Sequence, residues 1–259
     1  MARRKEAGTL KLSILGAALI GGLALPAQAQ EFELGGTATF TTDYVFRGTS
    51  QTNQNPAVQA SIDATYGIFY LGMWGSNVDF GGSAPPDPVG IELATIEIDY
   101  YAGIAPTWKG ISFDIGGLYY TYPGAFDPAG NFDYFELKTG ASYTFFEALT
   151  LGVTNYWSPD FFGETGDGDA IEGTVEYAFS NKLFNFFSPS VSGLIGYQDV
   201  EDLGDYTYWN VGLTLGFMDN WSADVRYWDT DFSEAGCVGF NGGPNNCDAR
   251  VVGTISASF

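Results

Sequence analysis

From about residue 34 to the end of the chain, apolar and polar positions alternate with a period of two. The apolar set is aromatic or β-branched and the polar set small or charged. Each run reads as one strand, and twelve are predicted: 34–44, 57–66, 68–78, 91–102, 110–121, 133–145, 148–158, 170–180, 188–198, 206–217, 221–229 and 248–259. Each is about ten residues long, which a tilted strand needs to cross a hydrocarbon layer. Periodicity near 3.6 is scarce, so little helix is expected.

Alternation alone does not separate a membrane barrel from a soluble sandwich, because both put one face in an apolar medium. Three further patterns favour the barrel. Short connections (67, 103–109, 146–147, 181–187, 218–220) alternate with longer polar ones (45–56, 79–90, 122–132, 159–169, 199–205, 230–247), although 199–205 is no longer than two of the turns. Aromatics fall near strand ends, at Tyr44, Trp157, Trp209 and Trp221, where interfacial girdles form. The final strand ends on Phe259 with Val251 and Ile255 on the same face, resembling the C-terminal signal read by the barrel assembly machinery. The predicted fold class is therefore all-β: a transmembrane, antiparallel, up-and-down β-barrel of about twelve strands. Within 206–217, Trp209, Val211, Leu213 and Phe217 are expected to face lipid, and Tyr206, Tyr208 and Asn210 the lumen. Within 170–180, Ile171, Val175, Tyr177 and Phe179 are expected outside.

The leader changes the compartment. Arg3, Arg4, Lys5 and Lys11 precede an apolar run of fourteen residues, Leu12 to Leu25, and then Ala27 and Ala29. That is the form of a cleaved secretory signal peptide over 1–29, too short to span a bilayer as a helix, with the barrel over 30–259. The expected location is the bacterial outer membrane. Removing the leader takes away four of ten basic residues and one of thirty-one acids, leaving a net charge of −24. That charge disfavours nucleic acid, and none is expected as a partner. Disorder is excluded by an aromatic content of 17%. Cys237 and Cys247 share one loop of an exported chain, which favours a disulfide over a metal site.

The stretch 43–51 (DYVFRGTSQ), with 56–59 (PAVQ) and 72–80 (GMWGSNVDF), resembles the TorF family of proteobacterial porins. Shorter matches follow at 97–100, 120–124, 156–160 and in the last strand, so the resemblance covers nearly all of the mature chain. It implies an outer-membrane barrel with a pore and brings no catalytic residues.

The chain has no histidine, which rules out Ser-His-Asp and Cys-His catalysis. It also lacks a phosphate-binding loop and a Cys/His metal cluster, so no enzyme activity, cofactor or metal is expected. The acids on the polar register read instead as a lining. Asp63, Glu97, Asp99, Asp114, Glu136, Glu172, Glu176 and Asp224 are expected to point inward, against Lys138, Arg226 and Arg250. Facing lipid would cost Lys and Arg roughly 2–4 kcal/mol near the midplane. Two readings stand: a water-filled, cation-favouring pore for small solutes, or a structural or surface-interaction barrel whose lumen is plugged by these same charges. Arg47 likewise has two readings, a constriction charge folded inward or a loop salt bridge. The loop acids (Asp79 and Asp87; Asp160, Glu164, Asp167 and Asp169; Asp199, Glu201, Asp202 and Asp205) match no calcium-loop spacing. Expected partners are outer-membrane lipid, lipopolysaccharide and the barrel assembly machinery, with a homo-oligomer left open.

Overall fold

The computed structural model describes residues 32–80, 93–125 and 131–259; the leader, parts of two predicted loops, 79–90 and 122–132, and the first two residues of the predicted strand 91–102 lie outside them. Alternation produces strands wherever it was read. In chain order they are β1 (Phe32–Thr41), β2 (Val45–Phe46), β3 (Thr49–Ser50), β4 (Ala57–Tyr66), β5 (Phe69–Asn77), β6 (Ile96–Ile104), β7 (Thr107–Trp108), β8 (Ile111–Thr121), β9 (Tyr134–Phe145), β10 (Leu149–Ser158), β11 (Gly168–Ala178), β12 (Ser188–Val200), β13 (Gly204–Phe217), β14 (Trp221–Thr230) and β15 (Arg250–Ser258). One helix, α1 (Glu234–Asn241), precedes β15.

All the long strands pair antiparallel with their neighbours, and β6 also pairs with β8, while β1 pairs with β15 through registers such as Thr37↔Ser258. The result is a closed barrel of twelve strands, with β2 and β3 forming a separate hairpin. Closure satisfies every wall strand on both sides, which is the condition for backbone to sit in hydrocarbon.

The faces sort as alternation requires. Ile171, Val175, Tyr177 and Phe179 on the β11 side, and Val211 and Leu213 on β13, are exposed, while Glu172, Tyr206, Tyr208 and Asn210 are buried. A barrel of this size has room for side chains within, so burial here means pointing into the lumen. Trp157 and Trp221 lie on the outer face near opposite strand ends.

Several boundaries differ from the pattern's prediction, each for a physical reason. The first strand stops at Thr41, because the chain turns inward there. Tyr44, expected in an outer girdle, is therefore inside the lumen and buried. The predicted loop 199–205 shrinks to residues 201–203, since β12 and β13 continue to Val200 and Gly204. The turn after β6 contains the short strand β7, paired to β8. The Cys-containing loop holds α1, capped by the Ser233 side chain accepting from the Gly236 N–H, and its eight residues are too few for an apolar period to be read.

Candidate functional site

Residues 42–56 leave the top of β1 and descend into the barrel rather than extending outward. Asp43 organises the descent. Its Oδ1 accepts from Ser50 Oγ (2.6 Å) and Thr52 Oγ1 (2.9 Å), tying the two arms together, and its Oδ2 takes an ion pair from Arg250 on β15 (2.9 Å). Between the arms, Val45 pairs with Ser50 and Phe46 with Thr49. Arg47 and Gly48 close the hairpin with φ of 46° and 81°, the two left-handed residues of a type I′ turn. At Gly48 a side chain has neither backbone freedom nor space: a Cβ would lie 2.5 Å from Thr230 Cγ2 and 2.8 Å from Tyr208 Cβ. The turn therefore presses against the wall at β13 and β14.

The Arg47 side chain crosses the lumen to Glu136 on β9 in a bidentate pair, Nη1 to Oε1 at 2.7 Å and Nη2 to Oε2 at 2.8 Å. Both side chains are nearly inaccessible, at 4% and 2%. The guanidinium carbon also sits 4.7 Å from the ring centres of Phe46 and Tyr156, and Tyr120 donates a third hydrogen bond to Glu136 (3.0 Å). From the opposite wall the Tyr206 hydroxyl donates to the Arg47 carbonyl (3.0 Å). The free space among Phe46, Arg47, Tyr120, Tyr156, Glu172, Leu194 and Trp228 is about 10 Å³, at the lower limit for one water. At this level the lumen is closed.

Towards the loop mouth the closure continues. Phe80, Tyr122, Phe132 and Phe162 stack edge and face with ring centres 4.6–6.3 Å apart. The loop carrying α1 covers the hairpin base: the Ser50 N–H donates to the Asn246 carbonyl (2.8 Å) and Asn241 Nδ2 to the Ser50 carbonyl (3.3 Å). That loop is stapled by the Cys237–Cys247 disulfide. Towards the turn mouth the wall stays polar but becomes half-exposed, at Asp63 and Glu176 for example.

The eleven charged residues of the polar register are buried or half-buried, on the side of the wall opposite the exposed apolar series. They fall into two groups. Glu136, Asp114 and Asp224 are neutralised by Arg47, Lys138 (2.5 Å) and Arg226 (3.0 Å), and Arg250 by Asp43. Arg226 also donates to Asn210 and Ser192. In the second group the carboxylates have neutral partners. Tyr101 donates to Asp63, Tyr44 to Glu97 (3.1 Å) and Tyr208 to Glu172 (2.8 Å). One oxygen each of Asp99 and Glu176 is buried without a hydrogen-bond partner. Burial, and then the negative field of Glu97 and Asp99, pushes the Tyr44 phenol well above its ordinary range, so it remains a donor.

The two readings of Arg47 thus meet in one geometry, inside the lumen and salt-bridged. The sequence pattern placed Tyr206 in the lumen and Tyr44 in a girdle, but gave neither of them, nor Asp43 or Tyr120, a part in seating the hairpin. Asp43 and Tyr44 stood in the most family-specific stretch, and Tyr206 on the polar register of its strand, so position was the available signal. Among the described residues no group of three or more His, Cys, Asp or Glu side chains is placed to hold a metal ion.

Residues 26–259 match a family described as "Bacterial protein of unknown function (Gcw_chp)". No curated protein matches the sequence. Among solved structures, the KdgM porin is similar at 10% identity with a TM-score of 0.55, covering 87% of this chain and 99% of that one. The KdgM porin in complex with disordered oligogalacturonate scores 0.53, also at 10% identity, over 87% and 98%. The NanC porin scores 0.52 at 10% identity, over 88% and 99%. The fold is that of these outer-membrane porins.

Proposed function

The chain belongs to the Gcw_chp family, and we propose that it is an outer-membrane, porin-like channel for small hydrophilic solutes or ions, closed in the conformation described by the β2–β3 hairpin. The observation that carries this reading is the nature of the obstruction. The lumen is blocked at the level of Arg47 by a separate two-strand hairpin, hung from residues 42–43 and 52–56, and not by the wall alone. Below it the inward side chains are polar, and Asp63 and Glu176 are half-exposed. The porin fold of the structural neighbours supports the reading, as does the resemblance to the TorF family of porins.

Passage requires the hairpin to withdraw. The wall then keeps six carboxylates without a described cationic partner: Asp63, Glu97, Asp99, Glu172 and Glu176, whose described hydrogen-bond partners are neutral or lacking, and Glu136, which loses Arg47 and retains Tyr120. Such a wall favours cations. Phe32 and Phe259 both lie at the turn end, which in this reading faces the periplasm, and the reading assigns the chain no catalytic step.

Planar-bilayer conductance tests this directly. The channel reading expects single-channel steps that become larger or more frequent when residues 45–50 are replaced by a short Gly-Ser linker, with a cation-selective reversal potential in a salt gradient. A second reading, a structural barrel with a permanent plug, is favoured by the salt-bridged packing of the lumen. Silence from both correctly folded proteins would support that reading and overturn the first.

A further inference from the structure

The rim at the short-turn end exposes large apolar side chains among its polar ones, Lys109, Glu147, Lys182 and Asp219. Phe146 is 93% exposed, Phe184 91%, Met218 64% and Trp108 61%. The first three also adopt a left-handed backbone, φ of 54°, 52° and 51°, as the leading residues of type I′ turns, a position that favours Gly, Asn or Asp. Bulky side chains there cost about 1–2 kcal/mol each in backbone energy. Three turns thus carry a strained, exposed apolar tip, Trp108 flanks the Lys109–Gly110 tip of a fourth, and most of each side chain's surface is left uncovered by the protein.

The length of the apolar belt says what lies against them. On β9 the outward series runs without a charge from Phe135 to Phe145, the last residue of the strand. Ten steps of a strand tilted near 40° rise about 25 Å, the height of the hydrocarbon-facing band of such barrels. The lower boundary of the hydrocarbon therefore falls at the turn itself, with Phe146 one residue beyond. Phe69 and Trp221, the first residues of β5 and β14 above their turns, are outward and exposed as well. At the other end the outward positions are Asp169, Asp199 and Asp205, so the belt is displaced towards the turns.

We propose that the short-turn rim is a lipid-insertion surface, in which Trp108, Phe146, Phe184 and Met218 seat in the headgroup–acyl boundary of the turn-side phospholipid leaflet and set how deep the barrel lies. Lys109 holds its ammonium 4.5 Å from the Trp108 ring centre, which places a positive charge beside that anchor. The inference rests on the membrane-barrel reading above but is independent of whether the lumen conducts.

Both native cysteines are locked in the disulfide, so Phe146→Cys, Phe184→Cys and, at mid-belt, Val153→Cys each carry a single environment-sensitive fluorophore. The proteins are folded into protein-free phosphatidylcholine–phosphatidylglycerol vesicles, with heat-modifiable mobility as the check on folding. The expected result is a deep apolar signal at 153 and an intermediate one at 146 and 184, quenched more by a headgroup-level nitroxide lipid than by a tail-level one. Water-like emission and open access to aqueous iodide at 146 and 184, with 153 still apolar, would overturn the proposal and point to a protein partner or a second copy. Water-like emission at all three positions would overturn the membrane-barrel reading itself. Where a cysteine variant fails to fold, brominated-lipid quenching of the native chain against Trp108→Phe reads the same depth.

Discussion

Replacing Glu136 by alanine removes one half of the ion pair that seats the hairpin tip and leaves the Arg47 guanidinium buried without a counter-charge. Removing one partner of a buried pair costs about 3–5 kcal/mol, most of it the desolvation of the charge left behind. The cation–π contacts with Phe46 and Tyr156 remain but are worth only about 1–2 kcal/mol. The hydrogen bond from Tyr206 to the Arg47 carbonyl contributes about 1 kcal/mol. With each 1.4 kcal/mol worth tenfold, the docked-to-withdrawn ratio is expected to fall by about a hundredfold to several thousandfold. The barrel wall pairs through backbone bonds that the change does not touch, so heat-modifiable mobility should be retained. Two assays read the outcome: open probability in planar bilayers, and reactivity of Thr49→Cys, a buried hairpin position, with a membrane-impermeant maleimide. Both should rise in Glu136→Ala. Joint replacement by Arg47→Met and Glu136→Leu removes both charges together and should restore the closed state, because an apolar pair of similar volume has no desolvation penalty. A folded Glu136→Ala protein with wild-type conductance, in which the thiol introduced by Thr49→Cys stays unreactive, would refute the account of Arg47–Glu136 as the seat of the plug.

Gly48→Ala should undock the hairpin without unfolding the barrel, since the added Cβ meets Thr230 and Tyr208 and the left-handed φ is itself disfavoured by about 1 kcal/mol or more; maleimide access to Thr49→Cys in that background checks it. Reducing the Cys237–Cys247 disulfide should loosen its loop by about 2–3 kcal/mol and speed proteolysis within 231–249, leaving the melting temperature of the barrel unchanged. A lowered melting temperature with an unaltered loop would contradict this. Tyr44 titrates higher when docked than when free, so the docked state binds the proton more tightly and docking is favoured at every pH below the free phenol value of about 10. Stability of the docked hairpin is then lost as pH rises past about 10, and Tyr44→Phe, which has no proton to lose, should remove that alkaline opening in a conductance titration.

Much of this molecule was legible in one dimension. Period-two alternation is a local consequence of the pleat, so strand number and facing could be read without knowing what each strand touched. Ile171, Val175 and Tyr177 face out and Glu172 faces in because the two sides of a barrel wall impose opposite solvation on successive residues. The disulfide, too, followed from two cysteines in one exported loop. Where the pattern failed, the deciding contact was distant in sequence. The end of β1, the inward position of Tyr44 and the bidentate grip of Arg47 on Glu136, 89 residues away, depend on barrel closure bringing β9 opposite the β1 end. The two alternatives for Arg47 stayed open because a constriction and a salt bridge have the same sequence; only the lumen, by removing water from both charges at once, made them one arrangement. The helix α1 was hidden for a related reason, being eight residues held by a cap and a staple and not by an apolar period. The sequence by itself determined which residues face outward and which do not, because solvation acts residue by residue. The tertiary structure decided whether the inward residues line a passage or fill it, because that depends on which segments the closed wall brings within reach of one another.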